Sequence, residues 1–221
     1  MRRLWGLLAL LLALPAQADV ITRLPTQEKV VALTFDGCEG LGKPAYLDRA
    51  IVDVLQREQV PFTLFAGGLF ATRNAEALHQ LAQSPLVEVE NHSQSHPQHM
   101  ERLDRAAIDA QITQADQAIA AVTGHIPRFF RFPAGTYDAA TLAQVEASGH
   151  KVVHWRFPSG DPARNLTPQH LSQWVLSQVK PGDILIFHIN GRAPATAQAL
   201  PAILSGLRAK GYGFVRLDQM L

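Results

Sequence analysis

Cysteine is almost absent from this chain, whose 221 residues include only one, Cys38. A single cysteine cannot form an intramolecular disulfide, so a disulfide-stapled scaffold is excluded and the fold must depend on its hydrophobic core. Hydrophobic residues make up 47% of the chain and charged residues 18%, which is the composition of an ordinary globular protein. The length suits one domain with a sizeable core.

A surplus of charge of either sign is missing as well. The formal net charge is +1 at pH 7, and no cluster of basic residues interleaved with aromatic ones occurs. Because nucleic-acid binding needs concentrated positive charge, we expect no nucleic-acid partner. No GxGxxG or GxxxxGKS/T turn follows an apolar run, which disfavours a nucleotide-binding fold.

The chain also lacks a hydrophobic run that would span a membrane comfortably, which takes about 20 residues. An apolar run at residues 4–14 follows two arginines and precedes the small-residue triplet AQA at 16–18. This three-part pattern predicts a secretory signal peptide at residues 1–18, with a retained N-terminal anchor as the alternative. We therefore expect an exported protein, periplasmic or secreted, whose mature domain at residues 19–221 has no stable membrane span.

Two kinds of segment alternate along the rest of the chain. Short apolar runs rich in β-branched or aromatic residues indicate buried strands at 29–36, 61–68, 86–91, 128–133, 151–155, 183–189 and 213–217. Apolar residues at helical spacing predict helices at 44–59, 69–83, 104–124, 138–149, 167–179 and 196–211. The alternation predicts a single α/β domain with a parallel sheet, and both a barrel and an open doubly wound sheet fit the pattern.

Chemically capable side chains stand at the ends of the predicted strands. Those at or just beyond the C-terminal ends of five strands are Asp36, His92, Arg131, Asp161 and His188. In parallel α/β folds these strand ends converge on one face, where active sites are built. The pattern therefore predicts that these residues form one site.

A histidine pair is the strongest local signal. His92 and His96 are four residues apart, so on one helical turn both imidazoles would lie on the same side and could bind one metal ion. Pro97 disfavours helix at His96 and limits any helix to a short turn. Two surface histidines in a polar loop are the alternative, and the neighbouring His99 leaves that alternative open.

Arg131 and the residues after it suggest further parts of a site. An arginine in so apolar a strand is rarely buried without a partner, and Asp36 is the candidate partner. An outward-facing guanidinium is the alternative. Gly135 and Tyr137 indicate a tight turn whose backbone N–H groups could hold an oxyanion, or else an ordinary strand-to-helix turn.

The local sequence leaves two candidates ambiguous. His188 lies in a very apolar strand, where a lone histidine is more often a core residue, although its place near the strand's end favours a catalytic role. Asp161 precedes Pro162 and could be no more than a turn residue.

Together these stretches resemble the polysaccharide deacetylases, the NodB-homology group of carbohydrate esterases, from Val30 to the C-terminus. The family's H-S/T-x-x-H-P and R-x-P-x-G-x-Y motifs are matched in full and are the specific ones. The T-F-D-D, D-x-x-D-W and L-x-H motifs are matched in part. In chain order the matching segments are residues 34–37, 92–97, 131–137, 161–162 and 186–188.

The resemblance implies a distorted (β/α)7-type barrel. It also implies metal-dependent removal of acetyl groups from an N-acetylated glycan, either peptidoglycan or a chitin-like oligosaccharide. The implied ion is divalent, with Zn²⁺ first and Co²⁺ or Ni²⁺ as alternatives. His92 and His96 would hold the ion, and the backbone at Tyr137 would help to bind the oxyanion.

The resemblance further implies the proton-transfer roles. Asp36 would be the general base, and Arg131 would orient it. His188 would be the general acid, and Asp161 would tune it.

Two positions depart from the family pattern. Gly37 stands where a metal-ligating Asp is usual, and Pro162 stands where Trp is usual. The third ligand could be Glu39, Cys38, a water or Asp36 itself, although we expect Cys38 to be a small buried packing residue. The departures leave two other functions open: a glycan-binding homologue with lost turnover, and an O-acetyl esterase on the same site.

Overall fold

The computed structural model describes residues 20–40 and 43–221. The predicted signal peptide at residues 1–18 lies outside these ranges. Within the ranges, none of the helices is both long enough and apolar enough to cross a membrane.

Seven parallel strands form one sheet that curls into a half-barrel. They are β1 (Val30–Gly37), β2 (Phe62–Ala66), β3 (Val87–Asn91), β4 (Phe129–Phe130), β5 (Lys151–Val152), β6 (Ile184–His188) and β7 (Gly213–Val215). The strand order is β5-β4-β3-β2-β1-β6, and β7 pairs with β1. A parallel bridge between Pro158 and Ile186 links the chain that follows β5 to β6, which lies at the opposite end of that order. The fold is therefore the distorted (β/α)7-type barrel and not an open doubly wound sheet.

The central strand β1 carries the first site residue. It pairs with β6 along one edge and with β2 and β7 along the other. Its residues 31–37 are buried, as expected for a parallel strand covered on both faces. The register sets Asp36 opposite His188 of β6, and it sets Asn91 of β3 opposite Phe130 of β4. The residues that end these strands consequently meet at one end of the half-barrel.

Helices surround the sheet. They are α1 (Arg49–Arg57), α2 (Gly68–Arg73), α3 (Ala75–Ala82), α4 (Arg105–Thr123), α5 (Ala139–Ala147), α6 (Pro168–Gln178) and α7 (Thr196–Ala209). The helix predicted from residue 44 begins later, at Arg49. Asp48 caps it by accepting hydrogen bonds from the N–H groups of Ala50 and Ile51, so Pro44 lies outside the helix.

The helix predicted over residues 69–83 is in fact two helices, α2 and α3, separated at Asn74. The Asn74 amide donates to the carbonyls of Phe70, at 2.8 Å, and Ala45, at 3.1 Å. A side-chain amide bonded to the backbone competes with a continuous helix, and the break allows α2 and α3 to pack independently.

Aromatic packing fixes β1 in place. Phe35 is fully buried, and the ring centroids of Phe62 and Phe187 both lie 5.5 Å from its own. Truncating such a phenylalanine to alanine costs about 3–5 kcal/mol. The core therefore also positions Asp36, the next residue along the strand.

Candidate active site and metal-binding cluster

Asp36 and Arg131 form a buried ion pair at the end of the half-barrel. The Arg131 Nη1 group donates to Asp36 Oδ1 at 2.8 Å, and Nε and Nη2 donate to the carbonyls of Val153 and His154 at 3.1 and 3.3 Å. The guanidinium carbon lies 3.9 Å from the centroid of the Phe65 ring. The expected Asp36–Arg131 contact is thus present, and the outward-facing orientation of Arg131 is wrong.

The surroundings of Asp36 favour its ionised form. Burial would raise its pKa, but the interactions with His92, Arg131 and His188 outweigh burial and lower the pKa below the ordinary value. Its second carboxylate oxygen, Oδ2, lies 3.5 Å from His92 Nε2. Asp36 is therefore an ionised carboxylate whose orientation is fixed by its contacts.

His92 presents one ring nitrogen to the site. Its Nδ1 lies 2.8 Å from the Arg131 carbonyl oxygen, which can only accept, so Nδ1 carries the proton and donates. Burial lowers the pKa of His92, which keeps the ring neutral. The Nε2 lone pair is consequently available to a metal ion, in the tautomer that metal-ligating histidines adopt.

The segment that carries the second histidine is a loop and not the predicted helical turn. Ser93 and His96 have left-handed backbone conformations, with φ of 66° and 56°. The residue before a proline avoids the α region, so Pro97 rules out the helix at His96. The loop still brings the two imidazoles together, with ring centroids 5.0 Å apart. His99, in contrast, is exposed and pairs with Glu101.

Cys38 joins the two histidines in a cluster of possible metal ligands. One donor atom from each of Cys38, His92 and His96 lies within 4.8 Å of the others. Ligands about 2.0–2.3 Å from a tetrahedral zinc ion stand roughly 3.3–3.6 Å apart, so a small inward movement would let one ion contact all three. Burial raises the pKa of the Cys38 thiol to about 12, and a bound cation would offset that effect. The donor set fits a divalent ion that accepts nitrogen and sulfur.

Glu39, another candidate for the third ligand, is engaged elsewhere. Its carboxylate is hydrogen-bonded to Arg73 Nε and accepts the backbone N–H of Ala45 at 3.3 Å. These contacts hold the Glu39 carboxylate in an ion pair with α2.

Asp161 and His188 form a second pair of site residues. Asp161 is fully buried, and its Oδ1 accepts from His188 Nδ1 at 2.9 Å. Its Oδ2 accepts from the backbone N–H of His188 at 2.7 Å and from the hydroxyl of Thr196 at 2.9 Å. Burial lowers the pKa of His188, but the bond and charge of Asp161 outweigh burial and raise it overall. Asp161 is therefore more than a turn residue, and His188 is not a passive core residue.

The turn before Tyr137 leaves one backbone N–H free. Ala134 and Gly135 have left-handed conformations, with φ of 54° and 69°. The N–H groups of Gly135 and Thr136 bond within the turn, to Phe132 and Pro133. The backbone N–H group of Tyr137 has no acceptor among residues 20–40 and 43–221. A free N–H on a tight turn is suited to an oxyanion.

Comparison with known families adds an independent observation to this geometry. A family model described as Polysaccharide deacetylase matches residues 23–153, more than half of the chain. The chain belongs to the polysaccharide deacetylase family. The matched region contains the Asp36–Arg131 pair and the cluster of Cys38, His92 and His96.

Two curated relatives match most of this chain. A chitooligosaccharide deacetylase from Bradyrhizobium sp. (strain ANU 289) is 28% identical over 204 residues, which is 86% of this chain and 90% of the relative. A peptidoglycan-N-acetylglucosamine deacetylase from Bacillus cereus is 26% identical over 205 residues, 91% of this chain and 92% of the relative.

A solved structure shares the fold. The CE4 family pseudoenzyme from Bacillus anthracis superposes with a TM-score of 0.81 at 22% identity, over 93% of this chain and 69% of that one. That protein is described as a pseudoenzyme.

One residue beside the cluster, Asn190, is not among those predicted from the sequence. Its amide donates to the Cys38 carbonyl at 2.7 Å and lies 3.4 Å from the Cys38 sulfur. Asn190 follows His188 by two residues at the end of β6, so the rule that pointed to the other strand ends could have found it. Thr196, which bonds Asp161, gave no such signal because it lies at the start of α7.

Proposed function

We propose that this protein is a metal-dependent hydrolase that removes acetyl groups from an N-acetylated glycan, either peptidoglycan or a chitin-like oligosaccharide. The observation that carries the proposal is the convergence, at one end of the half-barrel, of an ionised carboxylate, a carboxylate-bound imidazole and a group of metal donors. The names of the two curated relatives support the substrate class.

The roles of the residues follow from their contacts. A divalent ion bound to His92 and His96, most suitably Zn²⁺ with Co²⁺ or Ni²⁺ as alternatives, would polarise the acetyl carbonyl and acidify a water. Asp36 would take the proton as that water attacks the carbonyl, and Arg131 would keep Asp36 ionised and oriented. The N–H of Tyr137 would donate to the oxyanion that develops on the acetyl oxygen.

His188 completes the reaction by protonating the departing amine. Its Nδ1 donates to Asp161, so Nε2 is the atom that would deliver the proton to the sugar nitrogen. The raised pKa of His188 keeps a larger share of it protonated near neutral pH. Asp161 therefore acts as a positioning residue that also tunes the acid.

A glycan-binding homologue with impaired turnover is the second candidate. Gly37 in place of the usual Asp motivates it, and so does the likeness to a solved pseudoenzyme. Pro162 motivates it less, because Asp161 keeps its contacts with His188 and Thr196 in spite of that substitution. An O-acetyl esterase would use the same residues and would differ only in its leaving group.

We also infer that the protein is exported, to the periplasm or the medium, and that residues 1–18 are removed. N-terminal sequencing of the protein recovered outside the cytoplasm tests this inference, and a mature terminus at Asp19 is the expected result. A terminus at Met1 on membrane-bound protein would instead support the retained anchor.

Acetate release separates the candidate functions. The mature chain would be purified, freed of metal, reloaded with zinc and assayed on chitooligosaccharides, peptidoglycan and an O-acetylated glycan. Zinc-dependent acetate release from N-acetylated substrates supports the deacetylase. Release from the O-acetylated glycan alone would favour the esterase, and glycan binding with no acetate released would favour the impaired homologue.

A further inference from the structure

The site has no room for a metal ligand at position 37. A Cβ placed on Gly37 would lie 2.7 Å from Cε1 of Phe70 and 3.1 Å from two further atoms of that ring. Phe70 is fully buried in α2, so its ring cannot swing into solvent to make space. Any third protein ligand would therefore come from another residue.

Cys38, the next residue after Gly37, places a donor atom in the required position. Its sulfur belongs to the cluster with His92 and His96 in which the donor atoms lie within 4.8 Å of one another. The residue is 1% exposed, so it is held inside the site and not on its rim. Cys38 directly follows β1, and the aromatic packing of that strand holds the Cys38 backbone in place.

The side-chain amide of Asn190 donates a hydrogen bond to the Cys38 sulfur. The Asn190 Nδ2 group lies 3.4 Å from the sulfur and 2.7 Å from the carbonyl of the same residue, and Asn190 is 5% exposed. An amide N–H directed at a buried sulfur stabilises the electron-rich form that binds metals.

The other carboxylates near the cluster have other partners or another role, because the free Asp36 Oδ2, 3.5 Å from His92 Nε2, belongs to the proposed general base. Asp36 Oδ1 accepts from Arg131, and Glu39 is bonded to Arg73. A thiolate at Cys38 would supply one negative charge beside two neutral imidazoles. The total charge of these three ligands equals that of two histidines and a carboxylate, although sulfur is a softer ligand than oxygen.

We propose that Cys38 is the third protein ligand of the divalent ion, completing a Cys-His-His site whose fourth position stays open for water or substrate. This proposal rests on the proposed function, because it completes the site that the deacetylase chemistry uses. Three protein ligands with one open position is the usual arrangement of a catalytic zinc ion. A sulfur ligand also makes the site favour Zn²⁺ over magnesium or manganese, which prefer oxygen ligands.

The absorption spectrum of the cobalt-loaded protein tests the proposal directly. A cobalt–thiolate bond gives a charge-transfer band in the near ultraviolet, and imidazole or carboxylate ligands do not. Because Cys38 is the only cysteine of the chain, any such band from cobalt bound to the protein must come from it. We expect the band in the wild type, titrating to one cobalt per chain, and zinc should displace the cobalt.

Variants extend the test to affinity. Cys38→Ser should lose the band while still binding cobalt through the histidines, with zinc binding weakened at least 10–100-fold, the cost of losing even an outer contact of a metal site. Asn190→Ala should keep the band and weaken zinc binding by about 10-fold. His92→Ala should abolish binding of both ions. Thermal melts establish that each variant is folded.

The outcomes separate this proposal from the proposed function. Cobalt bound without a near-ultraviolet band, together with unchanged zinc affinity in Cys38→Ser, would overturn the Cys38 ligand and leave a metal-dependent deacetylase standing. Failure of the wild type to bind either ion would overturn both. If Cys38→Ser does not fold, X-ray absorption of the zinc-loaded wild type gives the same decision. A sulfur neighbour about 2.3 Å from the zinc supports the Cys38 ligand, and nitrogen and oxygen neighbours alone would overturn it.

Discussion

At the scale of single residues, Asp36 is the group on which the proposed chemistry depends most directly. We expect Asp36→Asn to lower acetate release by about 10²–10⁴-fold, the usual cost of losing a general base. The same change leaves the fully buried Arg131 without its counter-charge, which costs about 3–5 kcal/mol of stability. Activity should therefore be measured at a temperature where circular dichroism shows the variant folded. A folded Asp36→Asn variant with activity near that of the wild type would remove Asp36 from the mechanism.

Deprotonation of His188 should determine the alkaline side of the pH–rate profile. A general acid must be protonated, so the rate on amide substrates should fall as pH rises through the pKa of His188. Because Asp161 raises that pKa, Asp161→Asn should move the fall to lower pH. Thr196→Val, which removes one hydrogen bond to Asp161 but keeps its charge, is the matched control and should move it less.

A comparison of amide and ester substrates tests whether His188 acts on the leaving group. An ester leaving group needs less protonation than an amine, so His188→Ala should damage deacetylation of an amide more than that of an ester. Equal losses on both substrates, or an alkaline limb that does not move in Asp161→Asn, would make His188 a structural or binding residue.

At the scale of elements, the packing of α2 against β1 predicts the effect of filling position 37. Gly37→Ala should lower the free energy of unfolding by about 1–3 kcal/mol, because the added methyl group meets the Phe70 ring. Gly213→Ala, in β7, is the control, since the nearest atom to its Cβ is 3.6 Å away. Urea denaturation of the two variants makes the comparison, and equal stabilities would contradict the steric explanation. For the same reason we expect Gly37→Asp to destabilise the protein and not to restore a ligand.

The order of the elements was predictable from the sequence, and some of their ends were not. All seven strands were located, because buried parallel strands are continuous apolar runs. The break at Asn74 could not be predicted, since it depends on the carbonyl of Ala45, which is distant along the chain. The His92–His96 spacing predicts a helical turn where the structure has a loop, because i, i+4 spacing alone does not distinguish a helix from a left-handed loop.

The site itself was predictable from the C-terminal ends of strands. Asp36, His92, Arg131, Asp161 and His188 do converge there, as the parallel topology requires. The surroundings of Cys38 could not be predicted, because the sequence does not show that Phe70 fills the space beside Gly37 or that Asn190 lies beside the sulfur. These contacts depend on tertiary packing between β1, α2 and the end of β6.

At the scale of the whole molecule, a pair of buried carboxylates in β3 makes stability depend on pH. Glu90 Oε2 accepts the N–H groups of Arg128 and Phe129, and Glu88 Oε2 accepts from Thr63 and Leu217. Burial, and then the charge of Glu88, raise the pKa of Glu90 well above its ordinary value. These two side chains therefore join β3 to three other parts of the fold while sharing one buried environment.

The sign of the effect follows from that raised pKa. Folded protein holds the Glu90 proton more tightly than unfolded protein, whose glutamates titrate near 4.3. The contribution of Glu90 to stability should therefore fall as pH rises above about 4.3 and level off beyond its folded-state pKa. Glu90→Gln keeps an oxygen acceptor but cannot ionise, so its stability relative to the wild type should improve as pH rises.

Urea denaturation across this pH range measures the difference. Glu76→Gln, which changes an exposed glutamate on α3, serves as the control and should follow the wild type. If the plots of unfolding free energy against pH for Glu90→Gln and the wild type stay parallel, the pKa of Glu90 does not change on folding and this explanation is wrong.

The most direct test of the central claim is acetate release from an N-acetylated chitooligosaccharide as a function of added zinc. Metal-free protein should be inactive, and activity should rise linearly and level off at one zinc per chain. The same titration with His92→Ala should stay flat. Acetate release that is unaffected by removing and restoring the metal, or its absence at every zinc concentration from protein that still binds the glycan, would contradict a metal-dependent deacetylase.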